Sequence, residues 1–307
     1  MFKVKNIIPN DRTRKTWRGY LGAYLMILPA IIFLGVFVIY PMIHIVELSL
    51  YKGNGTNPYK QFLGLSNYRT IFFVKTDFLE ALKNTAVYTG SMVVILMFMS
   101  LMFALWMFKD RKINKFAQTA LFTPHLVSAV SCAFIFSWLF SSDTYGLFNT
   151  ILKIFGFAPV NWLGDTRTAM FCIIFMNTWK SIGYYALILM SALKAIPPEI
   201  YEAARLDNAS SRKTFWKITL PMLSPQLFFM LITITIGSFK VFDSVRLMTG
   251  GGPGTSTQVI SLYIYNYAFQ RGNSLGIGAA AGVVLMLILI VVTMIDFRGF
   301  ERRVHYQ

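Results

Sequence analysis

The chain has 307 residues, of which 55% are hydrophobic and 14% are charged, and its 29 Lys and Arg against 13 Asp and Glu give a net charge of +16. Soluble domains carry about 25% charged residues. This shortage of charge, with only two cysteines, excludes a soluble enzyme, a disordered protein and a secreted scaffold held together by disulfides.

Six stretches of the chain are almost free of ionised side chains. Each is close to or longer than the roughly 20 residues with which a helix crosses the hydrocarbon core of a bilayer. Lys180 is the only Lys, Arg, Asp or Glu inside them. The sequence therefore predicts an all-α membrane protein with six transmembrane helices. The stretches are 19–46, 84–108, 116–142, 168–193, 221–239 and 272–295.

The basic residues are distributed unevenly among the connecting segments. The two tails and the loops 109–115 and 194–219 carry 18 Lys and Arg, whereas the alternate loops 47–83, 141–167 and 240–271 carry 10. Lys and Arg accumulate in cytoplasmic loops. We therefore expect both termini in the cytoplasm, and the positive net charge needs no nucleic acid partner.

The stretches are predicted to form one membrane domain, 19–297, between a basic cytoplasmic tail, 1–18, and a second cytoplasmic tail, 298–307. The segment 259–269 is apolar and aromatic but too short to span a bilayer. We expect it to form an interfacial or outward-facing helix.

The sequence contains no recognisable motif for catalysis or metal binding. It has no phosphate-binding loop with a lysine and no zinc-protease or hydrolase motif, and His44, His125 and His305 are scattered. Cys132 and Cys172 lie in apolar stretches, where we expect small buried hydrophobic side chains. We predict no catalytic residue, metal site or cofactor on this chain, so uphill transport would need energy from a partner or an ion gradient.

The loop 195–221, between the fourth and fifth stretches, has the pattern of two short helices joined by a turn. Pro198 is suited to the first helical position, and Asn208 tolerates the left-handed conformation of a turn. Ser210 can cap a second helix that runs to about Thr219. The exposed face of the first helix carries small residues that another protein could hold. An ordinary amphipathic connector is the alternative interpretation.

This loop resembles the EAA loop of the permease subunits of binding-protein-dependent ABC importers. The similarity lies in Glu202-Ala-Ala-x-x-Asp-x-Ala followed by Phe215-x-x-Ile-x-Leu-Pro221. The resemblance implies a type I ABC importer permease fold, in which the first short helix docks into an ATPase subunit. One departure is Asn208, where the family usually has Gly. The implied ATPase-coupling residues are Glu202, Ala203, Ala204, Asp207 and Asn208.

Three further motifs are similar to the carbohydrate branch of this family, and to the larger type of maltose permease subunit. They are Phe62-Leu-Gly-Leu-Ser-Asn-Tyr68, Asn161-Trp-Leu163 and Leu247-Met-Thr-Gly-Gly-Gly-Pro253. The resemblance implies a bacterial-type cytoplasmic membrane as the location. It implies four partners: a second, homologous permease subunit, two ATPase subunits that bind ATP and Mg, and an extracytoplasmic solute-binding protein.

Polar residues recur along one face of the predicted fourth helix. Asn177, Lys180, Ser181 and Tyr184 have the spacing i, i+3, i+4 and i+7. A lysine at the centre of a bilayer costs about 2.5–3.5 kcal/mol on insertion scales, so Lys180 should face a wet cavity or a partner. The alternative is a hydrogen-bonded patch between helices, with Lys180 neutralised by a carboxylate of the companion subunit.

The resemblance aligns this face with the transmembrane sugar pocket of the maltose-type subunit. On the fifth predicted helix it also aligns Ile234, Gly237, Ser238 and Val241 with pocket positions. Asn177 and Tyr184 match in residue type. The positions that differ, which argues against maltose itself, are Lys180, Ile234, Gly237, Ser238 and Val241. Our hypothesis is that Lys180 favours an anionic or uronate-bearing saccharide.

Three other functions are the alternative hypotheses. A permease for another polar solute, such as a glycerol phosphate, would also suit Lys180. An ion-coupled transporter would predict inverted repeats or intramembrane acidic residues, and the sequence has neither. A membrane-embedded enzyme would need a clustered nucleophile or metal set, which is also absent from the sequence.

Overall fold

The structure is a computed structural model that describes residues 17–109, 111–143, 145–270 and 274–300. Most of the predicted tails, 1–18 and 298–307, lies outside these described residues, as does Gly272 at the start of the sixth stretch.

Contacts between residues divide the chain into two compact units, Met1–Glu47 and Leu48–Gln307. The first unit contains one long apolar helical segment, in which Tyr24–Leu48 is long enough to cross a membrane. The segment consists of α1 (Trp17–Leu34), a π-helical turn (Gly35–Ile39) and α2 (Tyr40–Ser49), whose last residues belong to the second unit.

The second unit begins with a small antiparallel hairpin and is otherwise helical. Tyr51 of β1 pairs with Phe62 of β2. The elements up to the fourth predicted span are β1 (Tyr51–Lys52), β2 (Gln61–Phe62), α3 (Ser66–Arg69), a π-helical turn (Thr70–Val74), α4 (Thr76–Met107), α5 (Lys112–Leu126), α6 (Ala129–Leu139), α7 (Leu147–Ile154) and α8 (Ala169–Ala195).

The remaining elements include the predicted pair of short helices. They are α9 (Pro198–Leu206), α10 (Ser211–Thr214), a π-helical turn (Phe215–Thr219), α11 (Leu220–Met222), α12 (Ser224–Phe239), α13 (Asp243–Met248), α14 (Ile260–Tyr265), a π-helical turn (Asn266–Gln270) and α15 (Leu275–Phe300).

Four of the predicted spans are single helical segments, and two are broken. Among the described residues, the first unit's segment, α4, α8 and α15 are each long and apolar enough to cross a membrane, and the number rises to six if each bent helix pair counts as one span. The match with the six charge-poor stretches confirms a mostly helical membrane protein.

The third stretch, 116–142, is not the single straight helix that its length predicts. It contains α5 and α6, which meet at a bend of 100°. Val127 and Ser128 have extended backbones, with ψ values of 140° and 139°, and Pro124 in the last turn of α5 has no N–H to donate to that helix. The fifth stretch bends by 62° ahead of α12, whose first turn contains a proline.

The helices enclose two hydrophobic clusters. The larger lies between α4, α6, α8, α12 and α13, and includes Leu96, Cys132, Cys172 and Met230. Both cysteines are free and buried, which confirms the expectation of small buried hydrophobic side chains. The smaller cluster joins the start of α4 to α14 and α15.

The segment 259–269 is short and helical, as predicted, and most of it is covered by neighbouring helices. Ile260 and Tyr263 are fully buried, and Tyr267 is nearly so. The aromatic side chains pack against Phe78 of α4 and against α15, so the segment belongs to the protein core. Apolar composition alone does not distinguish contact with lipid from contact with neighbouring helices.

A glycine allows α8 to approach α5 closely. A Cβ atom added at Gly183 would overlap the carbonyl oxygen of Leu121. The two helices therefore touch through backbone atoms at this point, as small residues permit in membrane proteins.

Replacing Gly183 with Ala should reduce the free energy of unfolding by about 1–3 kcal/mol, because the methyl group forces α8 away from α5. Gly90 provides the matched control, since it is exposed on α4 and a Cβ there meets nothing within 4 Å. Gly90→Ala should stabilise the helix by about 0.5–1 kcal/mol. Thermal unfolding of the purified protein in detergent should show a lower Tm only for Gly183→Ala. An unchanged Tm for that variant would contradict the close backbone approach.

Candidate functional site

A cavity of about 280 Å³ lies between α4, α8, α12 and the start of α13. Its wall mixes aromatic rings with small polar side chains, the combination with which proteins bind polar organic solutes. The lining residues are Tyr88, Met92, Leu96, Ala129, Asn177, Ser181, Tyr185, Ile234, Gly237, Ser238, Lys240, Val241, Phe242, Asp243 and Ser244.

Asn177 connects two walls of this cavity. Its side-chain nitrogen donates to the carbonyl oxygen of Ile173, one turn earlier on α8, and to the hydroxyl of Ser244 on α13, both at 2.9 Å. Bonds between facing helices of this kind fix the separation of the cavity walls. Ser181 lies one turn further along α8 and also lines the cavity.

Five of the seven residues predicted to bind solute lie together around this cavity, but Lys180 and Tyr184 do not line it. Lys180 donates through Nζ to the carbonyl oxygen of His125, at 3.0 Å, and to that of Val127. The ring of Tyr184 stacks on His125, with centroids 4.5 Å apart and planes 10° apart. The predicted set at the cavity is Asn177, Ser181, Gly237, Ser238 and Val241.

The face that the sequence predicted on α8 is therefore divided into two adjacent ridges. Asn177, Ser181 and Tyr185 follow the spacing i, i+4 and i+8, and this ridge lines the cavity. Lys180 and Tyr184 lie on the neighbouring ridge, which faces α5. A spacing of i+3 and i+4 combines residues up to about 100° apart around a helix, which is wide enough to include two different neighbours.

Several cavity residues were not predicted. Tyr185 continues the ridge of Asn177 and Ser181, so extending that spacing by one turn finds it. Lys240 and Asp243 are the first ionised residues after the fifth stretch, and they give the cavity one charge of each sign. Tyr88 lies one helical turn after Asn84 and Thr85 on α4, and this polar spacing is the signal that could have identified it.

The loop that follows α8 forms the helix–turn–helix that its sequence predicts. Pro198 is at the start of α9, and the helix ends in a left-handed residue, Asn208, with φ of 51°. The N–H of Ala209 donates to the oxygen of Ala204 at 2.9 Å, and that of Asn208 to Arg205 at 3.0 Å. These two bonds are the Schellman motif that closes a helix C-terminus.

The second half of the loop is tied back to α9. The hydroxyl of Ser210 accepts from the N–H of Lys213 at 3.4 Å, which confirms the predicted cap, and the helical segment runs on to Thr219. The hydroxyls of Tyr201 and Thr219 lie 3.2 Å apart and share a hydrogen bond. This arrangement makes α9 a braced element.

The side chains of α9 and of the turn that follows it divide into a buried and an exposed set. Ala204 is buried, while Glu202, Ala203, Asp207 and Asn208 are exposed.

Large apolar side chains of the loop 195–221 are also exposed. Leu206 at the end of α9 is 84% exposed, and Trp216 is 59% exposed. Beside α9 lies a second cavity of about 490 Å³, formed with the C-terminal ends of α4 and α8. Exposed apolar groups beside a concavity are typical of a surface that binds a protein.

Comparison with known proteins is consistent with this architecture. Residues 93–306 match the family described as "Binding-protein-dependent transport system inner membrane component". The chain is 36% identical to the trehalose/maltose transport system permease protein MalF of Thermococcus litoralis, over 84% of this chain and 87% of that protein. It is 32% identical to the sn-glycerol-3-phosphate transport system permease protein UgpA of Escherichia coli, over 96% of this chain and 99% of that protein.

A solved structure has the same fold. It is a chain of the bacterial alginate ABC transporter, crystallised in complex with alginate pentasaccharide-bound periplasmic protein, and the TM-score is 0.80. The two chains are 28% identical, and the match covers 92% of this chain and 94% of the other. The matched family and the similarity along nearly the whole length lead to one conclusion: the chain belongs to the inner membrane components of binding-protein-dependent transport systems, as an ABC permease subunit.

Proposed function

We propose that this permease subunit carries a carbohydrate into the cell through the cavity between α4, α8 and α12. The observation that carries the proposal is the cavity wall, which contains hydroxyl and amide groups together with the rings of Tyr88, Tyr185 and Phe242. Sugar hydroxyls suit the polar groups, and aromatic faces suit the apolar faces of pyranose rings. The relatives named for trehalose and maltose and for alginate support the same substrate class.

The proposed topology has six spans and two cytoplasmic termini. Each bent pair, α5 with α6 and the α10–α11 segment with α12, would count as one span. The excess of Lys and Arg in the loop that contains α9 supports a cytoplasmic position for that loop. The location would be the bacterial cytoplasmic membrane.

We assign solute contact to the residues that line the cavity. Asn177, Ser181 and Ser238 would exchange hydrogen bonds with sugar hydroxyls, and Gly237 and Val241 would leave room for the rings. Lys240 and Asp243 would interact with charged groups of the solute at the end of the cavity that follows α12.

We assign ATPase coupling to α9, through Glu202, Ala203, Ala204, Asp207 and Asn208. The partners would be a second homologous permease subunit, two ATPase subunits that bind ATP and Mg, and an extracytoplasmic solute-binding protein. Closure of the ATPases on ATP would move α9. Because only Ile196 and Pro197 separate α9 from α8, that motion would reach a cavity wall directly.

A glycerol phosphate is the second candidate solute. It is favoured by the similarity to UgpA along almost the whole chain, and Lys240 would then face the phosphate. Uptake assays with both solute classes distinguish the two candidates.

Gly237→Leu should reduce solute uptake at least about tenfold, because the added side chain fills the cavity. A Cβ at Gly237 meets nothing within 4 Å, and the same is true of Gly90 on α4, so neither substitution should prevent folding. Gly90→Leu is the matched control and should leave uptake unchanged. The measurement is labelled-saccharide uptake into proteoliposomes that contain the complete importer. Normal uptake by the Gly237 variant would contradict a solute path through this cavity.

Glu202→Lys should reduce solute-stimulated ATP hydrolysis at least about tenfold, because it reverses a charge on the exposed face of α9. The control is Asp143→Lys, the same change of charge on an exposed outer-loop residue. Both variants should insert in the membrane in normal amounts. Full stimulation in the Glu202 variant would mean that the loop is only a connector.

A further inference from the structure

The side chain of Lys180 is hydrogen-bonded to the backbone at the bend between α5 and α6. Its Nζ atom donates to the oxygen of His125, in the last turn of α5, and to that of Val127, between α5 and α6. Lys180 is half-buried, and both of these partners belong to the bend. Lys180 lies 55 residues after His125 in the chain, so this contact joins two segments that are distant in sequence.

The bend creates a need for such a donor. The last carbonyl groups of a helix have no partner within the helix, and the extended backbones of Val127 and Ser128 prevent α6 from continuing the ladder. Hydrocarbon offers no water to satisfy these oxygens. An ammonium group supplies three donors and a positive charge, which is favourable at the negative end of a helix.

Two further contacts hold the same part of α8 against α5. One turn beyond Lys180, the ring of Tyr184 stacks on His125. Between them, Gly183 lies against the carbonyl of Leu121. The three α8 residues therefore form a single docking face for the last two turns of α5.

The bend also positions a residue of the cavity wall. Ala129, the first residue of α6, lines the cavity. Helix α6 packs along α13, which carries Ser244, the hydrogen-bond partner of Asn177. A change of angle between α5 and α6 therefore moves cavity residues on two elements.

We propose that Lys180 is a positioning residue, which sets the shape of the solute cavity by holding the bend between α5 and α6 and does not contact the solute. This inference rests on the proposed transport function. This role differs from recognition of the solute's charge, because Lys180 lies on the ridge that faces α5 and its ammonium group donates to backbone oxygens.

Uptake kinetics test the proposal with the complete importer in proteoliposomes, using a neutral and a uronate-bearing oligosaccharide of equal length. Lys180→Met should raise the half-saturating concentration of both saccharides by about tenfold, the effect of losing hydrogen bonds from a charged donor, and by the same factor for each. Lys180→Arg, which keeps the donors and the charge, should restore most of the affinity. Lys153→Met, at an exposed lysine of α7, should change nothing.

Three kinetic outcomes would overturn the proposal. A change in the ratio between neutral and acidic saccharides would mean that Lys180 reads solute charge. An unchanged half-saturating concentration, with only less assembled importer, would mean a role in stability alone. Equal behaviour of the Arg and Met variants would remove the hydrogen-bonding role. If the unmodified importer carries neither saccharide, the proposed substrate class fails, and the inference is then decided by the following measurement.

Cavity shape can be measured without a solute. In the complete importer with Cys132 and Cys172 replaced by Ala, a cysteine placed at Ala129 reports on the wall through its rate of alkylation by a polar maleimide. Lys180→Met should change this rate several-fold, and Lys180→Arg should restore it. An identical rate in all three backgrounds would show that the bend does not depend on Lys180.

Discussion

The ammonium of Lys180 donates to the backbone oxygens at the α5–α6 bend, and this contact meets a constraint on any helix that breaks within a membrane. Backbone groups released by a helix break need protein partners, because a bilayer core supplies no water. Polar side chains of α4 hold a second irregular segment by the same kind of contact: Asn84 donates to the oxygens of Thr255 and Gln258, and Thr85 accepts from the N–H of Ile260. Polar side chains in these apolar helices therefore hold irregular segments in place.

The candidate solute cavity and the candidate coupling helix α9 are directly connected along the chain. The cavity walls α8 and α12 are the helices on either side of the loop that carries α9. The loop is closed on itself by the turn at Asn208 and by the contact between Tyr201 and Thr219. A braced element of this kind can transmit a displacement to both helices, whereas a flexible connector would absorb it.

The features that the sequence predicted are those with local causes. Charge-poor length identifies a membrane helix, and the turn at Asn208 follows from how few residues tolerate a positive φ. The sequence could not decide between outcomes that depend on a distant contact. Lys180 was expected at a wet cavity or a partner, or else in a hydrogen-bonded patch between helices, and its hydrogen-bond partners lie 55 and 53 residues earlier in the chain. Likewise, composition could not tell that the segment around Tyr263 is buried in protein and away from lipid.

In the proposed function, the chain forms the solute path and separate ATPase subunits drive its movement. Measuring solute flux through the purified chain tests this most directly. Proteoliposomes can contain either the chain alone or the complete importer with its solute-binding protein. Saccharide uptake should require the ATPase subunits, with ATP on the side of α9, and the chain alone should carry no saccharide under any ion gradient. Uptake by the chain alone, driven by a proton or sodium gradient, would contradict the account.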